Sequence, residues 1–311
     1  MKSTPFTILL LVLTAVSLHA NSRTWTSADG KTLEAEFVSA TESEVTIRRE
    51  SDGRRFTLKL DKLSEDDRAY VKARLSEGSR PDEIEKGPYF SKFTGDWEKM
   101  VFAEELPFRL YASKRFKATG SYPLVIYLHG AGQRGVDNES QLGGDVRNFA
   151  KPAFYDKREA ILVVPQCPSD RNWTGEPGDH VIALIKDLMA KAPVDRNRVY
   201  LCGFSLGGYG TWGLLSREPG LFAAGIPVAG GGSPNNGEKL KDIPIWAFHG
   251  EKDDSVKVEQ SQNLVKAIED AGGRKVKYTE FKGEGHLISG KVFSDEETHE
   301  WLFEQSRTTG D

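Results

Sequence analysis

One short stretch, "RVYLCGFSLGGYGTW", restricts the fold of this chain more than any other. An apolar run leads to Ser205, which stands between Gly203 and Gly207, and a helical pattern follows at once. A strand that passes directly into a helix turns sharply, so the positions two residues either side of the apex must be small. The G-x-S-x-G spacing therefore predicts that Ser205 is a nucleophile held above the carboxyl ends of parallel strands, where open α/β sheets bind ligands.

A serine nucleophile requires a histidine base, and chain order narrows the choice. Outside the first twenty residues the histidines are His129, His180, His249, His286 and His299. In folds with this turn the order along the chain is serine, acid, histidine, so only His286 and His299 remain. His299 lies in the helical pattern "DEETHEWLFEQ" and is predicted to be solvated or to pack. His286 lies in the glycine-bearing loop "FKGEGHLISG" and is the predicted base.

The acid should follow the apolar run "IPIWAFHG", where the loop offers Glu251, Asp253 and Asp254. The form H-G-x-x-D-x-x-V selects Asp253 as the residue that orients the histidine. Asp254 remains the alternative, because the sequence does not fix the loop to within one residue. His249, at the start of the same loop, is predicted to shape the turn by hydrogen bonding.

Two backbone N–H groups should bind the oxyanion that forms during acyl transfer. The first is that of Leu206, directly after the nucleophile. The second should come from the loop "HGAGQRGVDN", whose glycines allow the backbone to approach a substrate closely. We assign it to Ala131, with Gly132 as the alternative.

From residue 90 onward, apolar runs alternate with helical patterns, which indicates an α/β fold. A predicted antiparallel hairpin, "WEKMVFAE" with "LPFRLYAS", is followed by six strand candidates, several apolar throughout as strands buried on both faces should be. In sequence order these are "YPLVIYLHG", "AILVVPQCP", "RVYLCGFS", "FAAGIPVAG", "IPIWAFHG" and "VKYTEFKG".

These motifs together resemble the α/β-hydrolase family of predicted peptidases and esterases related to polyhydroxybutyrate depolymerases and feruloyl esterases. The similarity rests on "YLHGAGQRGVDN", "VVPQCP", "GFSLGGYGTW", "VAGGG", "WAFHGEKDD" and "GEGH". It implies a mostly parallel doubly wound sheet and hydrolysis of carboxylic esters through an acyl-enzyme, with no cofactor. The connection "SPNNGEKLKD" is too short for a cap domain, which suggests an open site for acetyl or feruloyl esters on polysaccharide. A serine peptidase and an inactive binding or scaffold protein are the alternatives.

The beginning of the chain differs from the rest. Residues 1–20, "MKSTPFTILLLVLTAVSLHA", are typical of a signal peptide cleaved after Ala20, which predicts a secreted or periplasmic protein with no membrane span after cleavage. Residues 21–76 show short alternating strands and a helix with a capping box at Ser64 and Asp67. With the "RTW" start, the central "EAEF" and the "LDKLSEDD" end, they resemble the Sla-type homology domain, an SH3-like β module that can bind a protein or peptide. Residues 77–89 are a predicted linker, and residues 90–311 the catalytic domain.

Composition excludes some functions and leaves others open. The net charge of -4 provides no basic surplus for nucleic acid, and no ligand spacing between acidic residues and histidine predicts a metal.

The two cysteines are not expected to form a disulfide. Cys167 follows one predicted strand and Cys202 lies in another, and the expected fold places a third strand between these two. The resulting distance is beyond the reach of a disulfide. Trp173 either forms an aromatic substrate wall or packs in the core, and we assign it to substrate binding. Trp212 is predicted to be a core residue.

Overall fold

A computed structural model describes residues 22–40, 43–76, 84–143 and 145–307. The predicted signal peptide and residues 77–83 of the predicted linker lie outside the described residues. The chain divides into two compact units between residues 78 and 79. Among the described residues, no helix combines the length and the apolar character that crossing a bilayer requires.

The first unit is a four-stranded antiparallel sheet followed by one helix. The strands pair in the order of the sequence, and Asp-Gly turns join the first two and the last two. This arrangement confirms the predicted small β domain. Its elements are β1 (Ser22–Thr26), β2 (Thr32–Ala40), β3 (Glu44–Arg49), β4 (Arg55–Lys59) and α1 (Glu65–Ser76).

A buried carboxylate joins the helix of this unit to its sheet. The Asp67 side chain accepts hydrogen bonds from the Thr26 N–H at 2.6 Å and from the Ser64 hydroxyl at 3.0 Å. The Ser64 hydroxyl in turn accepts from the Asp67 N–H at 3.2 Å, so both predicted capping residues are engaged. Arg23 forms an ion pair with Asp67 at 2.8 Å and lies 3.8 Å over the ring of Tyr70.

The second unit is built on an eight-stranded sheet in the order β12-β11-β10-β9-β7-β8-β6-β5. The six strands from β12 to β8 are parallel, whereas the hairpin β5–β6 joins the edge of the sheet in antiparallel fashion. All eight predicted strands are present. Their bounds are β5 (Glu98–Phe102), β6 (Leu106–Tyr111), β7 (Tyr122–Leu128), β8 (Ile161–Pro165), β9 (Val194–Phe204), β10 (Ala224–Val228), β11 (Ile245–Gly250) and β12 (Val276–Phe281).

Helices cover both faces of this sheet because its strands are apolar on both sides. Along β7, Leu124, Ile126 and Leu128 enter one core and Val125 and Tyr127 enter the other, since successive side chains point to opposite faces. This is the doubly wound sheet expected of an α/β-hydrolase. The helices are α2 (Pro152–Tyr155), α3 (Glu176–Lys191), α4 (Leu206–Arg217), α5 (Gly237–Leu240), α6 (Glu259–Asp270), α7 (Ser289–Phe293) and α8 (Glu296–Glu304).

The end of the predicted linker is part of this second unit rather than a spacer. Tyr89 is 3% exposed and belongs to the same core as β7 and α3. Its hydroxyl donates to the Asp187 carboxylate of α3 at 2.6 Å. The polar and glycine-rich composition of residues 77–89 gave no indication that Tyr89 is buried.

Both cysteines are buried and unpaired. β7 lies between β8, which leads to Cys167, and β9, which holds Cys202, as the predicted strand order requires. Burial raises the pKa of the Cys167 thiol to about 11 and the pKa of the Cys202 thiol still further. Neither thiol is therefore exposed and ionised as a reactive cysteine must be.

We expect the folded protein to react negligibly with a thiol reagent such as DTNB, and the protein unfolded in urea without reductant to release two equivalents. Burial and high pKa suppress the reaction in the native state. Release of no equivalents after unfolding would show that the two cysteines form a disulfide.

Candidate active site

Ser205 occupies the apex of a strained turn between β9 and α4. Its backbone dihedrals are φ 56° and ψ −115°, a region that residues with a side chain rarely adopt. The Ser205 N–H donates to the Val228 carbonyl of β10 at 2.9 Å, and its carbonyl accepts from the Tyr209 N–H of α4 at 3.0 Å. The surrounding sheet and helix thus hold the strained conformation in place.

The two glycines that flank the serine are required by packing. A Cβ atom at Gly203 would lie 2.3 Å from the carbonyl oxygen of Gly207. A Cβ atom at Gly207 would lie 1.8 Å from the carbonyl oxygen of Leu128, at the end of β7. Because both obstacles are backbone atoms, a side chain at either position would force the helix away from the sheet.

His286 lies between Ser205 and Asp253 and hydrogen-bonds to both. Its Nδ1 is 2.7 Å from Oδ2 of Asp253, and its Nε2 is 2.8 Å from Oγ of Ser205. A carboxylate can only accept, so Nδ1 carries the hydrogen. Nε2 is then free to accept the hydroxyl hydrogen of Ser205. This arrangement can remove a proton from the serine and hold it.

Asp253 is 3% exposed, and its carboxylate is fixed from several sides. Oδ1 accepts from the N–H of Ser255 at 2.9 Å and from the N–H of Val256 at 2.8 Å. Burial by itself would raise the pKa of Asp253, but the hydrogen bonds from His286 and from these N–H groups outweigh it and lower the pKa. Asp254, the alternative acid, points into solvent, with Lys257 at 3.8 Å as its ion-pair partner.

His249 braces the same loop from within the core, as predicted. It is fully buried, with Nδ1 2.7 Å from the Ser261 hydroxyl and Nε2 2.9 Å from the Val256 carbonyl. Nε2 also lies 3.2 Å from Oδ2 of Asp253. Because both neighbours of Nε2 are acceptors, Nε2 must carry a hydrogen, and His249 therefore donates toward the carboxylate that holds His286.

The loop after β7 is shaped by His129. Its Nδ1 is 2.7 Å from the Gly130 carbonyl, and its Nε2 accepts from the Cys167 N–H at 3.0 Å. Burial lowers the pKa of His129 to about 4, so the ring is neutral. The N–H groups of Ala131 and Leu206, the two predicted oxyanion donors, donate to no acceptor among the described residues.

The assignment of Trp173 to substrate binding is wrong. Its side chain is fully buried and packs in the core with α3 and α4. The indole N–H donates to the His129 carbonyl at 3.1 Å, and the two rings meet edge to face. Trp173 therefore supports the loop that carries Ala131 instead of lining a surface that a substrate could reach. Trp212 is a core residue, as predicted.

Two further histidines lie away from Ser205. His299 packs in the core, with Nε2 3.0 Å from the Phe293 carbonyl, and burial lowers its pKa. His180 approaches Glu105 at 3.0 Å, and with Glu176 these residues place possible metal-ligand atoms within 4.8 Å of one another. The spacing of Glu176 and His180, four residues apart in one helix, was a signal for this exposed group that the sequence analysis missed.

A cavity of about 370 Å³ is lined in part by the chain neighbours of Ser205 and His286. Phe204 and Leu287, which precede Ser205 and follow His286 in the chain, are part of its wall. The polar side chains of this wall come from β7, from the connection after β7 and from the start of α7, so no short sequence pattern marks them; they are Tyr127, His129, Gln133, Gln141, Asp145 and Ser289. Ser289 stands in the segment "GHLISG", three residues after His286.

The second unit is similar to known esterases in sequence and structure. Residues 151–300 match the family model described as Phospholipase/Carboxylesterase. A solved thermostable esterase is 37% identical, with a TM-score of 0.65 over 68% of this chain and 64% of that one.

Two curated relatives each match part of this chain. A bifunctional acetylxylan esterase/xylanase from Neocallimastix patriciarum is 28% identical over 48% of this chain and 22% of that protein. A poly(3-hydroxyalkanoate) depolymerase C from Paucimonas lemoignei is 31% identical over 35% of this chain and 28% of that protein. The chain spans between 22% and 52% of the length of the curated relatives that it matches.

We expect Gly207→Ala to lower the free energy of unfolding by about 3 kcal/mol, because the added methyl group meets the rigid carbonyl of Leu128. Gly220→Ala is the matched control, since a Cβ there meets nothing within 4 Å. Urea unfolding followed by tryptophan fluorescence measures both variants. Equal stability of the two would contradict the steric account of the turn.

Proposed function

Because the larger unit is an α/β-hydrolase related to esterases, we propose that this protein is a serine hydrolase of carboxylic esters. The observation that carries the proposal is the continuous line of hydrogen bonds from Asp253 through His286 to Ser205. In this reaction Ser205 is the nucleophile, His286 the general base and Asp253 the orienting acid.

Acylation begins when Oγ of Ser205 attacks the ester carbonyl and transfers its proton to Nε2 of His286. The 2.8 Å separation of these atoms permits the transfer without rearrangement. The histidine becomes positively charged, and the Asp253 carboxylate, whose pKa is lowered, stabilises that charge at Nδ1. His286 then protonates the departing alcohol, which leaves an acyl group on Ser205.

The negative oxygen of the tetrahedral intermediate requires donors that are free before the reaction. We assign the N–H of Leu206 and the N–H of Ala131 to this role, since neither donates to an acceptor among the described residues. Leu206 is also the first residue of α4, whose N-terminus favours negative charge. Water activated by His286 finally hydrolyses the acyl-enzyme.

The substrate class we propose is an acetyl or feruloyl ester of polysaccharide, acted on outside the cytoplasm. A relative named as an acetylxylan esterase supports it. The link between β10 and β11 also supports it, because it holds only the short 3-10 turn Pro234–Asn236 and α5 and no cap domain. A bulky polymer can reach an uncapped site.

We expect the wild-type protein to hydrolyse p-nitrophenyl acetate and Ser205→Ala to lose this activity by at least about 10⁴-fold, because the nucleophile is removed. A fluorophosphonate probe should label the wild type and not the variant. Comparison with short peptides tests the alternative of a serine peptidase. Equal ester turnover by both proteins would refute the nucleophile, and absence of turnover and labelling would favour a scaffold protein.

The variants Asp253→Asn and Asp254→Asn form a matched pair that tests which aspartate orients His286. We expect Asp253→Asn to lower kcat by about 10³- to 10⁴-fold, because an amide cannot fix the productive tautomer of His286. Asp254→Asn should change kcat by less than about twofold, since its side chain is in solvent. A large loss of kcat in Asp254→Asn with little change in Asp253→Asn would show that Asp254 is the orienting acid.

A further inference from the structure

The charged and hydrogen-bonding side chains of the cavity near Ser205 indicate which chemical class of ligand it binds. It lies next to the reacting groups, because Phe204 and Leu287 form part of its wall and the Phe204 ring lies 5.0 Å from the ring of His286. Its volume of about 370 Å³ is within the range of small-molecule sites. A two-carbon acetyl group would leave most of it empty, so an acetyl ester would place its alcohol portion there.

Asp145 is the one formally charged side chain among the described residues that line this cavity. Its Oδ2 accepts from the Ser289 hydroxyl at 2.5 Å, which holds the carboxylate in place. A carboxylate offers about four acceptor positions, so Asp145 retains capacity for further donors. His129, which also lines the cavity, is neutral because its pKa is about 4.

The amides of Gln133 and Gln141 and the hydroxyl of Tyr127, which also line the cavity, can both donate and accept. The amide nitrogen of Gln141 donates to Asn138 at 2.5 Å, whereas its Oε1 is buried and accepts from no group within the described part of the chain. The Ser289 hydroxyl is already used by Asp145. The Asp145 carboxylate, with its remaining acceptor positions, therefore stands in a wall with no lysine or arginine among its described residues.

We propose that this cavity binds an uncharged, hydroxyl-bearing group, namely a neutral sugar ring of the alcohol portion, and that Asp145 excludes sugars that carry a carboxylate. This inference rests on the proposed esterase function and specifies its substrate class. Sugar hydroxyls donate to the Asp145 carboxylate, whereas a uronate brings a second negative charge to a partly desolvated site, where like charges repel strongly. Asp145 is thus a specificity-determining residue.

The test compares two acetate esters that differ at one position, acetylated methyl glucoside and acetylated methyl glucuronoside. Wild-type protein should favour the neutral sugar in kcat/KM by at least about tenfold. Asp145→Asn should reduce that preference by about tenfold, since it removes the charge while its amide oxygen can still accept from Ser289. Asp242→Asn, an exposed aspartate before β11, is the matched control and should leave the preference unchanged.

The methyl ester of the glucuronoside separates charge from size. If charge decides, acetate should be released from this methyl ester nearly as fast as from the glucoside. If the cavity instead rejects the larger substituent, acetate release should be as slow as from the uronate, and that result would overturn the proposal. An unchanged preference in Asp145→Asn, with a native melting temperature and normal turnover of p-nitrophenyl acetate, would also overturn it. Loss of that turnover in the wild type would instead contradict the esterase function itself.

Discussion

The contact between Gly207 and the carbonyl oxygen of Leu128 determines how the rest of the site is arranged. It joins the first turn of α4 to the end of β7, and the residue after Leu128 opens the loop that carries Ala131. One steric contact therefore sets Ser205 and the proposed donor loop in fixed positions relative to each other. His286 and Asp253 need only be delivered by the loops after β12 and β11, which the parallel sheet brings to the same edge.

The sequence predicted the parts of this protein that depend on local chemistry and chain order. The steric cause of Gly203 lies within five residues, since a Cβ there would meet the carbonyl of Gly207. The order serine, acid, histidine left His286 and His299, and the helical pattern around His299 favoured His286, which lies between Ser205 and Asp253. The sequence could not decide between Asp253 and Asp254, because adjacent residues in a loop differ only in the direction of their side chains. The N–H groups of Ser255 and Val256, which fold back onto the carboxylate of Asp253, set that direction.

Predictions that depend on contacts between distant segments of the chain were wrong, or the features were not predicted at all. Trp173 is in a polar segment, yet its indole N–H finds the carbonyl of His129, 44 residues away in the chain, and the ring is buried. Tyr89 is in a linker-like segment and is anchored by Asp187. Asp145 and Ser289 are 144 residues apart and meet only in the folded chain, so no short pattern marks the cavity that they share. Burial of polar side chains in this way follows from tertiary pairing, which composition does not report.

The strained backbone of Ser205 also affects how this position can change over time. Glycine tolerates the dihedrals φ 56° and ψ −115° without penalty, whereas a residue with a side chain costs about 1–3 kcal/mol there. Random substitution under pressure for stability alone would thus drive the position toward glycine. A lineage that no longer required the proposed reaction would gain stability by replacing this serine with glycine. Retention of serine at this position in a set of related chains would therefore record continued selection for chemistry, independently of the overall similarity of those chains.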